Sequence, residues 1–132
     1  MEPTLSPHQE RLWFIDHFER GHVYPHPPVY HNLPLVLVGE GSLKAPTAQA
    51  VLAGLTARHE ALRTRFQENG VPAVPVIRDQ MQPHCEAVTL PAGISEVEIT
   101  NELVAANAIP FILDRDPLVR AKLFRVAGEA ET

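Results

Sequence analysis

An amphipathic pattern gives way to extended chain at Arg58-His59-Glu60-Ala61-Leu62-Arg63-Thr64-Arg65-Phe66. This stretch mixes basic, acidic and titratable side chains with the apolar residues Leu62 and Phe66. It could therefore be a catalytic constellation, a salt-bridged core element or a solvated helix end. The patterns on either side of it indicate which interpretation to prefer.

Three helices are predicted around this stretch. Apolar residues at three- and four-residue steps predict a helix from about 46 to 60 that runs into it. Upstream, Ser6 and Gln9 form a capping box that predicts a helix over about 7–18, with Asp16 on its solvated face. Downstream, Ser95 opens a second capping box and predicts a helix that ends near Asn107.

Strands are predicted wherever apolar and β-branched residues cluster between turn residues. Asn69-Gly70 favours a hairpin turn, and two prolines place the run after it at a sheet edge. The resulting fold class is α+β, with about three helices on a mixed sheet of about five strands. The last strand would leave an unpaired edge, which native proteins usually cover. The clearest predicted strands are a buried one at Leu33–Val38, a short one at His84–Leu90 and the edge strand Leu118–Val126.

Composition narrows the class of protein. The chain has 132 residues, 45% hydrophobic and 20% charged, which is typical of one globular domain. A net charge of −5 provides no basic surface for nucleic acid, and no apolar run is long enough to cross a membrane. The only cysteine is Cys85, and the start of the chain lacks the pattern of a signal peptide. We therefore expect a reducing, cytoplasmic location.

Four histidines lie within residues 17–31, at His17, His22, His26 and His31. Imidazoles can bind zinc, so a metal site is one interpretation. Their spacing matches no known ligand pattern, and no local cysteine or carboxylate completes a set. A solvated loop, or one that lines an active site, is the preferred interpretation, and no metal site is predicted.

Two segments resemble motifs of nonribosomal peptide synthetase condensation domains. Ser6–Ile15 resembles the opening motif, Ser-x-Ala-Gln-x-Arg-Leu-Trp-x-Leu, with His8 in the alanine position. Arg58–Phe66 is similar to the second motif, Arg-His-Glu-x-Leu-Arg-Thr-x-Phe, at every specified position. Residues 30–34 and 110–123 are similar to two further family segments. The family-motif residues are Ser6, Gln9, Arg11, Trp13, Arg58, His59, Glu60, Arg63 and Phe66.

The resemblance implies the N-terminal lobe of a chloramphenicol-acetyltransferase-like fold. In that family, two phosphopantetheine arms enter a tunnel between two lobes, and a carrier-bound amine attacks a carrier-bound thioester to form an amide. The family's catalytic motif, His-His-x-x-x-Asp-Gly, does not occur in this sequence. We therefore expect residues 1–132 to be a truncated condensation domain without its C-terminal lobe, and with no catalytic, cofactor-binding or metal residue of its own. Whether it acts as an enzyme stays open.

The resemblance also implies a structural role for Arg63, as the partner of the aspartate in the catalytic motif. Without that aspartate, a buried Arg63 needs another carboxylate, and Glu60, Asp114 and Asp116 are the candidates. His59 could be a general base, but a hydrogen-bonded histidine at a helix C-terminus is the preferred interpretation.

Three functional hypotheses follow. The chain is a piece of a synthetase that is inactive alone, or a split or degenerate domain that is completed in trans or serves as a non-catalytic platform, or an unrelated binding domain. The third requires the ordered motif matches to be accidental. The expected partners are carrier proteins, neighbouring synthetase domains, and a second copy or a C-terminal half that pairs with the 118–126 edge strand.

Overall fold

The computed structural model describes residues 4–25, 29, 31–41, 43–67 and 73–128. Within these ranges the chain forms three α-helices, four strands and a short 3-10 turn at Glu60–Arg63. The α+β class and the three helices are thereby confirmed. In chain order the elements are α1 (Pro7–Glu19), α2 (Ala45–Arg58), β1 (Thr64–Gln67), β2 (Val74–Ile77), β3 (His84–Leu90), α3 (Glu96–Asn107) and β4 (Arg120–Val126).

Both predicted capping boxes form. The Ser6 hydroxyl accepts a 3.2 Å hydrogen bond from the backbone N–H of Gln9, whose side-chain oxygen accepts one of 2.9 Å from the N–H of Ser6. Ser95 and Glu98 repeat this arrangement at the start of α3. Hydrogen bonds from the hydroxyl and the backbone of Ser95 lower the pKa of Glu98. Local side-chain chemistry therefore sets where α1 and α3 begin.

The strands form two separate pairs. β1 and β2 are antiparallel, with Thr64 opposite Ile77. β3 and β4 are parallel, and their register runs from His84 opposite Arg120 to Leu90 opposite Val126. The described residues thus hold four strands in two sheets, fewer than the five or so expected in one mixed sheet. The predicted turn at Asn69-Gly70 lies outside the described residues.

The prediction of a buried strand at Leu33–Val38 is wrong. The segment is not paired as a strand, and its side chains are largely exposed: Leu33 95%, Leu35 81%, Leu37 82% and Val38 97%. Its backbone makes no hydrogen bond to another described residue. An apolar, β-branched run favours extended backbone, but a strand also needs a neighbouring edge. In the described part of the chain, no strand pairs with this segment.

The buried core is small and joins the two ends of the described chain. Trp13 of α1, Phe66 of β1 and Ala73 form one buried cluster. Three partly buried side chains, Leu5, Leu113 and Leu118, pack against this cluster. Among the described residues, none of the helices is long and apolar enough to span a membrane.

Candidate functional site

The Arg58–Phe66 stretch turns from helix to strand through His59. The His59 N–H donates a 3.0 Å hydrogen bond to the Leu55 carbonyl and closes α2, and its backbone is already extended. The imidazole is exposed and has no hydrogen-bond partner among the described residues. A general base needs a group that orients it, and none lies beside His59 in the described part of the chain. Its position is that of a solvated helix end.

Arg63 lies just after this turn and is mostly buried. Its Nη1 donates a 3.0 Å hydrogen bond to the backbone carbonyl of Arg78, next to β2. Its Nη2 lies 3.3 Å from the Glu60 carboxylate, and the exposed fractions of the two side chains are 15% for Arg63 and 65% for Glu60. The guanidinium therefore ties the 3-10 turn to the neighbouring strand while it holds one carboxylate.

The other two candidate partners of Arg63 are engaged elsewhere. The Asp114 carboxylate lies 3.5 Å from Nε of Arg115. The Asp116 carboxylate accepts a 2.8 Å hydrogen bond from the backbone N–H of Ile112 and stabilises the turn before β4. Of the three acids that the sequence suggested, Glu60 is the one that pairs with Arg63.

The two motif segments meet in the core. Phe66 packs in one cluster with Trp13, and its backbone N–H donates a 2.9 Å hydrogen bond to the Leu113 carbonyl. Thr64 is buried and donates a 2.8 Å hydrogen bond to the Glu60 carbonyl. These contacts attach the second motif to α1, to the segment before β4 and to the 3-10 turn. The motif arginines Arg11 and Arg58 are exposed, whereas Ser6 and Gln9 act at the start of α1.

Asp16 differs from its prediction, because it is buried rather than solvated. It is 7% exposed and pairs with Arg20 at 2.6 Å, one helical turn further on. The Arg20 side chain closes α1 over this carboxylate and compensates for its burial. The sequence did contain a signal, since an Asp and an Arg four residues apart lie on the same face of a helix.

Two cavities lie beside this arrangement. The first, of about 420 Å³, is lined by Trp13 and Asp16 of α1 and by residues of the segment before β4. The second, of about 370 Å³, lies between Leu33–Val36 and the β3–β4 sheet. They share four wall residues, so the two cavities adjoin each other. The shared residues are Asn32, Leu33, Phe111 and Arg120.

Arg120 lines both cavities. Its guanidinium lies 4.0 Å from the centroid of the Phe111 ring and donates hydrogen bonds to the carbonyls of Pro110 and Ile109. Burial lowers the pKa of Arg120, and the Asp116 carboxylate partly opposes that shift. These contacts hold the Arg120 side chain in place in the wall that the two cavities share.

The histidines of residues 17–31 are not assembled into a metal site in the described part of the chain. No three His, Cys, Asp or Glu side chains come together there in a geometry that could hold an ion. His26 lies outside the described residues. His17 stacks on Trp13 with ring centroids 4.9 Å apart, so at least one of these imidazoles has a packing role.

Comparison with known proteins identifies the family. The family model of the condensation domain matches residues 2–131. The chain is 36% identical over 129 residues to a linear gramicidin synthase protein of Brevibacillus parabrevis, a match that covers 96% of the chain and 2% of that protein. It is 32% identical over 130 residues to bacitracin synthase 1 of Bacillus licheniformis, covering 94% of the chain and 2% of the synthase.

Tyrocidine synthase 2 of Brevibacillus parabrevis is 32% identical over 123 residues, covering 93% of the chain and 3% of the synthase. The chain therefore spans only a few per cent of the length of these relatives. Motifs, packing and comparison agree along nearly all of its length. The chain belongs to the condensation-domain family of nonribosomal peptide synthetases.

Proposed function

We propose that this chain provides most of the N-terminal lobe of a condensation domain and is inactive until the rest of the domain joins it. In the complete domain, a carrier-bound amine attacks a carrier-bound thioester, the amide bond forms and the carrier thiol leaves. The absence of His-His-x-x-x-Asp-Gly from the 132 residues supports inactivity of the chain alone. The chain contributes scaffold rather than reacting groups.

The observation that carries this proposal is that β4 and the segment Leu33–Val38 both have backbone without a strand partner among the described residues. The β4 strand pairs with β3 on one side, and no described strand pairs with its other side. The exposed segment Leu33–Val38 also has no strand partner among the described residues. The cavity of about 370 Å³ separates this segment from the sheet. Unpaired backbone in both β4 and this segment supports pairing with a further strand from the rest of the domain.

Residues on either side of the exposed segment are hydrogen-bonded to other parts of the chain. At its start, the Asn32 amide donates hydrogen bonds of 2.7 Å and 3.0 Å to the carbonyls of Asn107 and Ile109. Beyond its end, Arg125 of β4 donates to the Leu43 carbonyl. These contacts hold the residues on either side of the segment in place, which favours a defined position for its unpaired backbone over a loose loop.

The expected cofactors and partners follow from the same proposal. The chain binds no cofactor directly, and phosphopantetheine arms reach the site on carrier proteins. Carrier proteins and neighbouring synthetase domains are the proposed partners. The single cysteine, Cys85, supports a reducing, cytoplasmic location.

The alternative function is that of a naturally truncated or split condensation-like domain, which serves as a non-catalytic interaction platform in an assembly line. No described strand pairs with the outer edge of β4, and this edge supports the alternative as well as the first proposal, because a second copy of the chain could also pair with it. The two proposals differ in chemistry, since only the first restores amide formation.

The test is a complementation assay. The chain is mixed with the remainder of a condensation domain of the same family, and amide formation is measured from two loaded carrier proteins. We expect product only when both parts are present. A remainder in which the histidines of the catalytic motif are replaced by alanine is the control and should give none. If the two parts bind each other but yield no product, the platform function is favoured instead.

A further inference from the structure

Three arginines lie near one another where the 3-10 turn at Glu60–Arg63 meets the β1–β2 pair. Arg65 lies opposite Val76 in the antiparallel register, on the side of the ribbon away from the buried side chain of Phe66. The N–H of Arg78 donates a 3.0 Å hydrogen bond to the carbonyl of Arg63, the last residue of the 3-10 turn, so Arg78 lies beside Arg63. We call Arg63, Arg65 and Arg78 the arginine face.

Only one of these three guanidinium groups has a counter-ion among the described residues. Arg63 contacts the Glu60 carboxylate and a backbone carbonyl. The side chains of Arg65 and Arg78 make no hydrogen bond or ion pair with any described residue, and the Nε atom of each is buried without an acceptor. Asp79 follows Arg78 in sequence but does not pair with it. Two positive charges are therefore unmatched by the described part of the chain.

The partial burial of these side chains makes the missing anions significant. Arg65 and Arg78 are neither fully buried nor freely exposed, so water screens their charges only in part. A guanidinium stays protonated at all physiological pH values, so it cannot lower the cost of burial by losing its proton. Its planar set of N–H donors fits a carboxylate in a two-pronged contact. An acceptor from another molecule would satisfy both groups.

We propose that the arginine face binds an acidic peptide segment of a partner domain, with carboxylates at Arg65 and Arg78. The Glu60 carboxylate already contacts Arg63, so a carboxylate partner fits the local chemistry. An extended polyanion such as nucleic acid would meet the repulsion of a chain with net charge −5, whereas a short segment senses only the local arginines. Arg65 occupies the position that the second motif leaves unspecified, and Arg78 lies outside that motif.

The probe is a fluorescein-labelled peptide in which glutamate alternates with threonine. In an extended peptide, alternate residues point to the same side, so the glutamates of this probe lie along one face. A peptide with glutamine in place of glutamate is the matched probe. Binding is measured by fluorescence anisotropy at low ionic strength, and again with added salt.

We expect saturable binding of the glutamate peptide, none of the glutamine peptide, and weakening by salt. Arg65→Gln and Arg78→Gln should each weaken binding about tenfold, as the loss of a charge-assisted contact does. Arg115→Gln is the control, because it removes the same charge from an exposed side chain outside the ribbon, and it should change the affinity less than about twofold. Equal weakening by Arg115→Gln, or no saturable binding, would overturn the proposal.

Two further measurements protect this test. Circular dichroism checks that each variant folds. If a glutamine variant does not fold, Arg65→Lys or Arg78→Lys replaces it in the binding assay, because lysine keeps the positive charge. The lysine variants should retain part of the affinity, because charge remains but the two-pronged geometry is lost. If inorganic phosphate displaces the peptide at phosphate concentrations below the Kd of the peptide, the assignment to carboxylates is overturned.

Discussion

The Arg63 guanidinium donates a 3.0 Å hydrogen bond to the backbone carbonyl of Arg78, while the N–H of Arg78 donates one of the same length to the Arg63 carbonyl. This reciprocal pair joins the 3-10 turn after α2 to β2. It makes Arg63 a structural brace within the described chain, even though the sequence lacks the aspartate that the family resemblance pairs with it.

Arg63→Ala should therefore lower the free energy of unfolding. The substitution leaves the Arg78 carbonyl without its side-chain donor and removes a mostly buried guanidinium, so we expect a loss of about 1–3 kcal/mol. Urea denaturation followed by circular dichroism measures it. Arg115→Ala is the matched control, since that side chain is 75% exposed, and it should change stability by less than about 0.5 kcal/mol. Equal effects of the two variants would show that Arg63 is not a brace.

Trp13→Ala and Phe66→Ala should each destabilise the chain strongly. Both side chains belong to the same buried cluster, and truncation of such residues costs about 3–5 kcal/mol. Because they share a core, the double variant should deviate from additivity by about 0.5–3 kcal/mol. Phe14→Ala is the control, as Phe14 is 56% exposed. Additive effects in the double-mutant cycle would contradict the shared core.

Asp16→Asn tests the buried ion pair with Arg20. The substitution removes the charge that compensates Arg20, and we expect a loss of about 1–3 kcal/mol in the free energy of unfolding. The double variant Asp16→Asn/Arg20→Gln should recover part of this loss, because no unpaired charge remains. If Asp16→Asn leaves the unfolding midpoint in urea unchanged, the carboxylate is solvated, as the sequence pattern first indicated.

Glu98 predicts a pH dependence of stability. Hydrogen bonds from Ser95 lower its pKa in the folded chain, so its contribution is complete above the unfolded-state pKa and is lost as the pH falls through the folded-state pKa. Glu98→Gln should therefore reduce the loss of stability on acidification relative to the natural chain. Glu102, exposed and later in α3, provides the control substitution Glu102→Gln. Identical acid profiles for all three proteins would contradict the capping contact.

Local chemistry explains which parts of the fold could be predicted. The capping boxes at Ser6 and Ser95 involve residues three apart, so they could be recognised from the sequence and they form. Leu33–Val38 could not be predicted correctly, because its fate depends on an edge elsewhere in the fold. The contact of Arg63 with the Arg78 carbonyl was equally hidden, since no pattern reveals which carbonyl a side chain will reach. Asp16 shows that a polar residue in an amphipathic pattern can be buried when an arginine lies one turn away.

Hydrogen–deuterium exchange of Leu33–Val38 and Arg120–Val126 tests the central claim most directly. Backbone N–H groups without hydrogen bonds exchange rapidly, whereas those in a completed sheet are protected. In the chain alone, we expect rapid exchange across Leu33–Val38 and partial protection of β4, which pairs on one side only among the described strands. After the rest of a condensation domain is added, both segments should become strongly protected. Binding of the added part must be shown independently. If it binds and the exchange of both segments stays unchanged, the claim that these segments pair with the rest of the domain is contradicted.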